Sequence, residues 1–255
     1  MLLGLVVLCA ALGGIASAAF AVAFLAVPEA RLERLLPHCV SFATGALLGA
    51  ALLALLPEAI ESAGAGGAHG LGVALLAGLG VFFVIEKLVL WWHSHGAENG
   101  HGHAHVHASG TLVLVGDSLH NALDGVLIAA AFLNDRSLGF VTTFAVAAHE
   151  IPHRVGDFML LVHAGFSRGR ALLLNLATGL ASLLGAVLAY FALRQALAAL
   201  PYALAFAAAG FLYIAVAGLI PGLHKRADPR TSAAQIVLIG AGIAVIALAG
   251  RLTHS

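Results

Sequence analysis

Hydrophobic residues in this chain come in long unbroken runs rather than in alternation, and most polar residues fall between the runs. Eight runs approach the roughly 20 residues that a helix needs to cross a hydrocarbon layer about 30 Å thick. They cover about 2 to 27, 39 to 57, 71 to 92, 111 to 133, 138 to 165, 171 to 193, 203 to 222 and 232 to 250. A transmembrane barrel would show alternating segments of about ten residues instead. The pattern predicts an all-α integral membrane protein with eight transmembrane helices, forming a single domain over residues 1–255.

Composition agrees with this setting. The chain is 61% hydrophobic and 9% charged, with a mean hydropathy of +1.02, against about 25% charged residues in soluble domains. A formal net charge of zero argues against a nucleic-acid partner, which would need a basic patch. The first run ends in small residues like a cleavable signal, but no Lys or Arg precedes it, which favours its retention as the first helix. Cys9 and Cys39 lack the CxxC spacing and read as small buried apolar residues.

Lys and Arg are distributed unevenly. Arg31, Arg34, Lys87, Arg168, Arg170, Lys225, Arg226 and Arg230 fall on one side of an eight-helix chain, and Arg136, Arg194 and Arg251 on the other. Since short cytoplasmic loops hold the excess of positive charge, both termini are expected outside. The compact length points to a cell (inner) membrane. Glu58 and Glu61 then fall on the external side after the second run, as entrance charges or solvated loop residues, and His69 has no partner in the sequence.

The longest cytoplasmic connection, residues 93–110, holds His93, His95, His101, His103, His105 and His107 among Gly, Ala and Ser. Such a segment buries little apolar surface and is expected to be a flexible loop. Alternating imidazoles can chelate zinc and its neighbours in exchangeable arrangements, so these six form an auxiliary metal-binding candidate. Trp91 and Trp92 read as interfacial anchors.

Two runs are interrupted by chemistry. In the fourth, Asp117, His120 or Asn121, and Asp124 recur every three or four residues and share one helical face. In the fifth, His149, His153 and Asp157 are spaced by four, Glu150 lies one position round, and Pro152 removes a backbone hydrogen bond in mid-helix. Ionisable residues at membrane depth are costly and mark ion or substrate paths. His120, Asp124 and, with them, Asn121 are candidate metal ligands, facing His149, Glu150 and His153. Asp117, near the helix start, suits an interhelical hydrogen bond or an entrance position. Mixed nitrogen and oxygen donors suit Zn²⁺ and tolerate Fe²⁺, Mn²⁺ or Cd²⁺, and the lack of thiolate argues against copper(I). His163 and Arg168, at the cytoplasmic end of the fifth run, read as interface residues, with His163 placed to relay an ion.

The chain resembles the ZIP (Zrt/Irt-like) family of divalent metal transporters. The resemblance is carried by HNALDG at 120–125 and HEIPH at 149–153, and extends through LLPEA at 55–59, FFVIEK at 82–87, GDFMLLVHAGFS at 156–167 and GFLYIAV at 210–216. It implies a 3+2+3 arrangement with inverted repeats, the metal site lying between helices four and five. It also implies transport of divalent metal, zinc first, toward the cytoplasm, with homodimerisation. Carried over by position, it makes His120, Asn121, Asp124, His149, Glu150 and His153 the ligands, around one or two metal positions. Members closest to this pattern commonly have Glu after the second His, where this chain has Arg154. Arg154 lies four residues after Glu150 and can pair with it. It is read as a site modifier that weakens or replaces a secondary metal position. Ala50, Ala54, Gly218 and Gly222 also stand where relatives often have acidic residues or His.

The implied mechanism is alternating access, with no cofactor beyond the metal as transported substrate and no enzymatic activity. Two other readings compete. One is a membrane-embedded metal sensor dominated by the His-rich loop. The other is an intramembrane zinc metalloprotease, since His149 to His153 matches HExxH. Against the latter, a catalytic zinc keeps three protein ligands and an open position, which the residues of the fourth run would overfill.

Overall fold

The computed structural model describes residues 1–17, 29–64, 66–96, 104–163, 166–225 and 228–253. Among the described residues there is no strand. We number the helices α1 (Leu2–Ala11, widening into a π turn over Leu12–Ala16), α2 (Glu29–Gly49, a π turn over Ala50–Leu55, then Leu56–Ala63), α3 (Ala68–Gly96) and α4 (Ala104–Asn134). These are followed by α5 (Arg136–His163), α6 (Arg168–Gln195), α7 (Leu200–Tyr213, a π turn over Ile214–Leu219, then Ile220–Leu223) and α8 (Pro229–Thr253). Each predicted run overlaps one of these helices. Among the described residues, five helical stretches, in α2, α3, α6, α7 and α8, are long and apolar enough to cross a bilayer. The polar residues of α4 and α5 dilute their apolar character, and the described part of α1 is shorter.

Several helices outrun the expected spans. At 1.5 Å per residue, a helix the length of α3, 29 residues, extends about 44 Å. That exceeds the thickness of the hydrocarbon core. The loop expected at 93–110 is correspondingly shortened: His93 and His95 lie in the last turn of α3 and His105 and His107 in the first turn of α4. His101 and His103 lie outside the described residues, as do the side chains of these four histidines, of Trp91 and Trp92, and of His163. Glu58 and Glu61, expected beyond the second helix, are instead within its last segment. The amide of Asn134 donates to Glu58 Oε1 at 2.7 Å, which ties the end of α2 to the end of α4.

The π turns of α2 and α7 have a local cause. Each runs directly into a new α-helical segment whose second position is Pro57 or Pro221. A proline ring collides with the carbonyl four residues back. Widening the preceding turn relieves that contact, and the Leu56 and Ile220 amides reach back five residues, to Ala51 O and Ala215 O. At the start of α8, Asp228 caps the helix by accepting from the Thr231 amide at 3.0 Å. The bonds from Thr231 hold its carboxyl below the usual carboxylate range.

Packing relies on small residues, as expected where lipid supplies no hydrophobic drive between helices. The closest seam joins α4 to α6. A Cβ on Gly125 would lie 1.9 Å from Ser182 O, and one on Gly185 would lie 2.0 Å from Ala122 O. Helices α2 and α8 make a similar seam, where a Cβ on Gly45 would lie 2.0 Å from Ile239 O. Leu127, Ile128, Phe132, Leu204 and Phe211 fill the buried interior. Leu76, Leu184, Leu188, Ile236 and Val237 stand exposed, an apolar outer face of the kind that meets lipid.

Gly125→Ala and Gly185→Ala are expected to destabilise the protein by about 1–3 kcal/mol through overpacking, despite alanine's better helix propensity. Gly240→Ala, with nothing within 4 Å of its added carbon, should stay within about 0.5 kcal/mol of wild type or gain stability. Thermal unfolding in detergent checks all three.

Candidate metal centre

The interior holds a layer of buried polar groups where an apolar core would be expected: Asp117, Asn121, Asp124, His149, Glu150, Arg154, Asn175 and Thr178. Helical periodicity puts the first three on one face of α4 and the next three on the facing side of α5. The last two come from α6.

Four donors converge in one pocket. His120 Nε2 and His149 Nε2 are 3.2 Å apart. His120 Nε2 is 3.8 Å from Asp124 Oδ2 and 3.5 Å from Glu150 Oε1. His149 Nε2 is 3.4 Å and 3.7 Å from the same two atoms. Donors bound tetrahedrally to one Zn²⁺ at about 2.0–2.1 Å stand about 3.3 Å from one another, close to these spacings. Asp124 Oδ1 and Oδ2 and Glu150 Oε1 are buried without a hydrogen-bond partner. Such atoms are costly to bury unless something cationic completes them. His149 Nδ1 lies 3.1 Å from the Ala145 carbonyl, which can only accept. A proton on Nδ1 would satisfy that carbonyl and leave Nε2, which faces the pocket, available to a metal, the arrangement typical of a metal-ligating imidazole. The buried ring of Phe211, from α7, packs with its centroid 6.3 Å from that of His149.

The other named residues sit beside this pocket. His153 Nδ1 is 2.9 Å from Asp157 Oδ2 and 3.7 Å from Asp117 Oδ1. Its ring stacks on His120 at 5.4 Å between centroids, and its side chain is 41% exposed. Asp117, His153 and Asp157 thus form a second group of potential donors. Asn121 directs its amide nitrogen to Asp117 O at 2.8 Å and Asp117 Oδ1 at 2.9 Å. Its carbonyl oxygen accepts from Arg154 Nη2.

Arg154 is wholly buried. Its Nη1 donates to Asp117 Oδ2 at 2.8 Å, Asn175 O at 3.0 Å, Asn175 Oδ1 at 3.2 Å and the Thr178 hydroxyl. Its Nε stands 2.9 Å from Glu150 Oε2, close enough for an ion pair although the alignment is not that of a hydrogen bond. Asn175 Nδ2 donates in return to Arg154 O at 2.9 Å. Asn175 and Thr178 were not singled out from the sequence. The available signal was the recurrence of Asn175, Thr178 and Ser182 three and four residues apart in an otherwise apolar helix.

Residues 103–250 match the family model described as ZIP Zinc transporter. The chain is 38% identical over 225 residues to "Zinc transporter ZIP13" of Pongo abelii, covering 84% of this chain and 66% of that protein. It is 35% identical over 267 residues to the Homo sapiens protein of the same name, covering 86% and 70%. To "Zinc transporter SLC39A7" of Mus musculus it is 30% identical over 323 residues, covering 93% and 68%. The chain thus spans about two thirds of the length of these relatives. The matched family segment contains both motif-bearing helices and every donor of the pocket, and the chain belongs to the ZIP zinc transporter family.

Proposed function

We propose that this protein carries divalent metal, with zinc as the principal substrate and Fe²⁺, Mn²⁺ or Cd²⁺ as further candidates, across a cell membrane toward the cytoplasm. In this reading α1 to α8 all cross the bilayer in a 3+2+3 arrangement, with both termini outside. The ion binds between α4 and α5. His120, Asp124, His149 and Glu150 form its primary shell, and His153 and Asn121 stand at its edge, paired with Asp157 and with Asp117 and Arg154 respectively. The observation that carries the reading is the pocket of two imidazole nitrogens and two carboxylates spaced 3.2 to 3.8 Å apart. Its carboxylate oxygens are buried and lack hydrogen-bond donors.

Alternating access is the mechanism proposed, because a buried site in a membrane protein must open to one aqueous phase at a time for an ion to enter and leave. Release also requires intermediate affinity. Two imidazoles and two carboxylates supply four donors without the thiolates that hold structural zinc almost irreversibly. The six histidines of residues 93–107 would collect or sense ions on the cytoplasmic side. The protease reading is disfavoured by the same geometry: Asp124, from another helix, lies with His149 and Glu150 in one donor set. Glu150, the would-be general base, also holds Arg154.

Proteoliposomes containing the full chain should take up zinc saturably. The His149→Ala plus Asp124→Ala double variant should lose that flux by more than about 100-fold, because weakening even an outer partner of a metal site costs about 10–100-fold. Unchanged flux in a folded double variant would overturn the site. Glu150→Gln should retain reduced flux with a raised half-saturation concentration, where a protease would lose all turnover.

A further inference from the structure

We infer that Arg154 is a resident cation that fills the second half of the polar core and limits it to one divalent ion per chain. The inference rests on the metal-transport reading above and concerns the same pocket.

Two adjacent divalent ions lie about 3.5–4 Å apart and share or closely flank their carboxylates. The groups that could serve a second ion beside the first are Asn121, the second oxygen of Glu150, Asp117 and, beside Asp117, His153 and Asp157, whose ring nitrogen and carboxylate stand 2.9 Å apart as a pair. Each is already committed. Asn121 Oδ1 accepts from Arg154 Nη2, and its amide nitrogen is spent on Asp117. Asp117 Oδ2 accepts from Arg154 Nη1 at 2.8 Å. Glu150 is shared between Arg154 and the four-donor pocket: Oε2 stands 2.9 Å from Arg154 Nε, while Oε1 faces His120 and His149. One carboxylate therefore bridges a fixed guanidinium and the pocket for the mobile ion. A second dication would have to displace a delocalised charge that stays protonated at any physiological pH.

The guanidinium is also prevented from swinging away. Asn175 grips the residue at both ends, accepting from Nη1 at its side-chain and main-chain oxygens and donating to the Arg154 carbonyl. Thr178, whose hydroxyl donates to Asn175 O at 2.8 Å, closes the other side. These two α6 residues are positioning residues for Arg154. They also keep its charge out of the four-donor pocket, where it would otherwise repel the substrate.

The test counts Zn²⁺ bound to the purified full chain in detergent, by equilibrium dialysis and elemental mass spectrometry. The core contribution is the difference between wild type and the Asp124→Ala plus His149→Ala variant, which cancels ions held by the His-rich segment. A difference of one ion per chain is expected, and Arg154→Glu should raise it to two. A wild-type difference of two, or a folded Arg154→Glu protein that still shows one, overturns the inference. A difference of zero overturns both this inference and the metal site itself, and so is distinguishable from a failure of the stoichiometry alone. The wild-type count is read without altering Arg154 and stands even where Arg154→Glu does not fold. Mn²⁺ in place of Zn²⁺ gives an independent reading on wild type: an isolated-ion paramagnetic resonance spectrum is expected, and a spin-coupled pair overturns the proposal.

Discussion

A charge inside a membrane protein loses its water, at an effective cost of several kcal/mol per ion, and keeps its place only when other groups replace that solvation. In this chain the requirement falls on Arg154, which is wholly buried and draws its acceptors from three helices. Asp117 and Asn121 come from α4, Glu150 from its own helix, and Asn175 and Thr178 from α6. No one helix can satisfy a guanidinium alone, so these three must meet at one depth. The seam that lets them do so begins one turn beyond Asn121. There Gly125 and Gly185 bring the backbones of α4 and α6 to a separation that no side chain would allow.

The same network gives the pocket its asymmetry. Carboxylates near one another repel unless a cation stands between them, and Arg154 stands between Asp117 and Glu150. Asp124 and the inner oxygen of Glu150 have no such partner. Together with two imidazoles they form a region of unsatisfied negative potential enclosed by helices. In the proposed reading a divalent ion answers that need, and its binding would add to stability by completing groups that the fold has already desolvated.

Flanking features follow from the same economy of polar groups. The interior outside this layer is packed with Ala, Gly, Leu and Phe. The lipid-facing sides of α3, α6 and α8 carry exposed leucine, isoleucine and valine. The π turns of α2 and α7 absorb prolines without exposing backbone donors to hydrocarbon. The buried ionisable residues Asp117, Asp124, His149, Glu150 and Arg154 are thus concentrated at the candidate metal centre.

Local properties of the chain were enough to reveal the helical class, the approximate positions of the helices, and the faces of α4 and α5 that carry the buried polar groups. Hydrophobic run length and the 3.6-residue period are local properties, and His120, Asp124, His149 and Glu150 fell on facing stripes for that reason. The pairing of Arg154 with Glu150 was legible too, because four residues in a helix fix the distance. Which neighbour completes each polar group emerged only from the packing of the helices. Periodicity names a face but not the neighbour opposite it. It could not show that α6 supplies Asn175 and Thr178, that Asn121 turns to Arg154, or that His153 turns to Asp157 rather than joining the four-donor cluster. Nor could it show that Glu58 would be held by Asn134, 76 positions away in the chain. Those choices depend on the depth and rotation at which helices pack, which are set by glycine contacts and buried charge across the whole bundle rather than by any one segment.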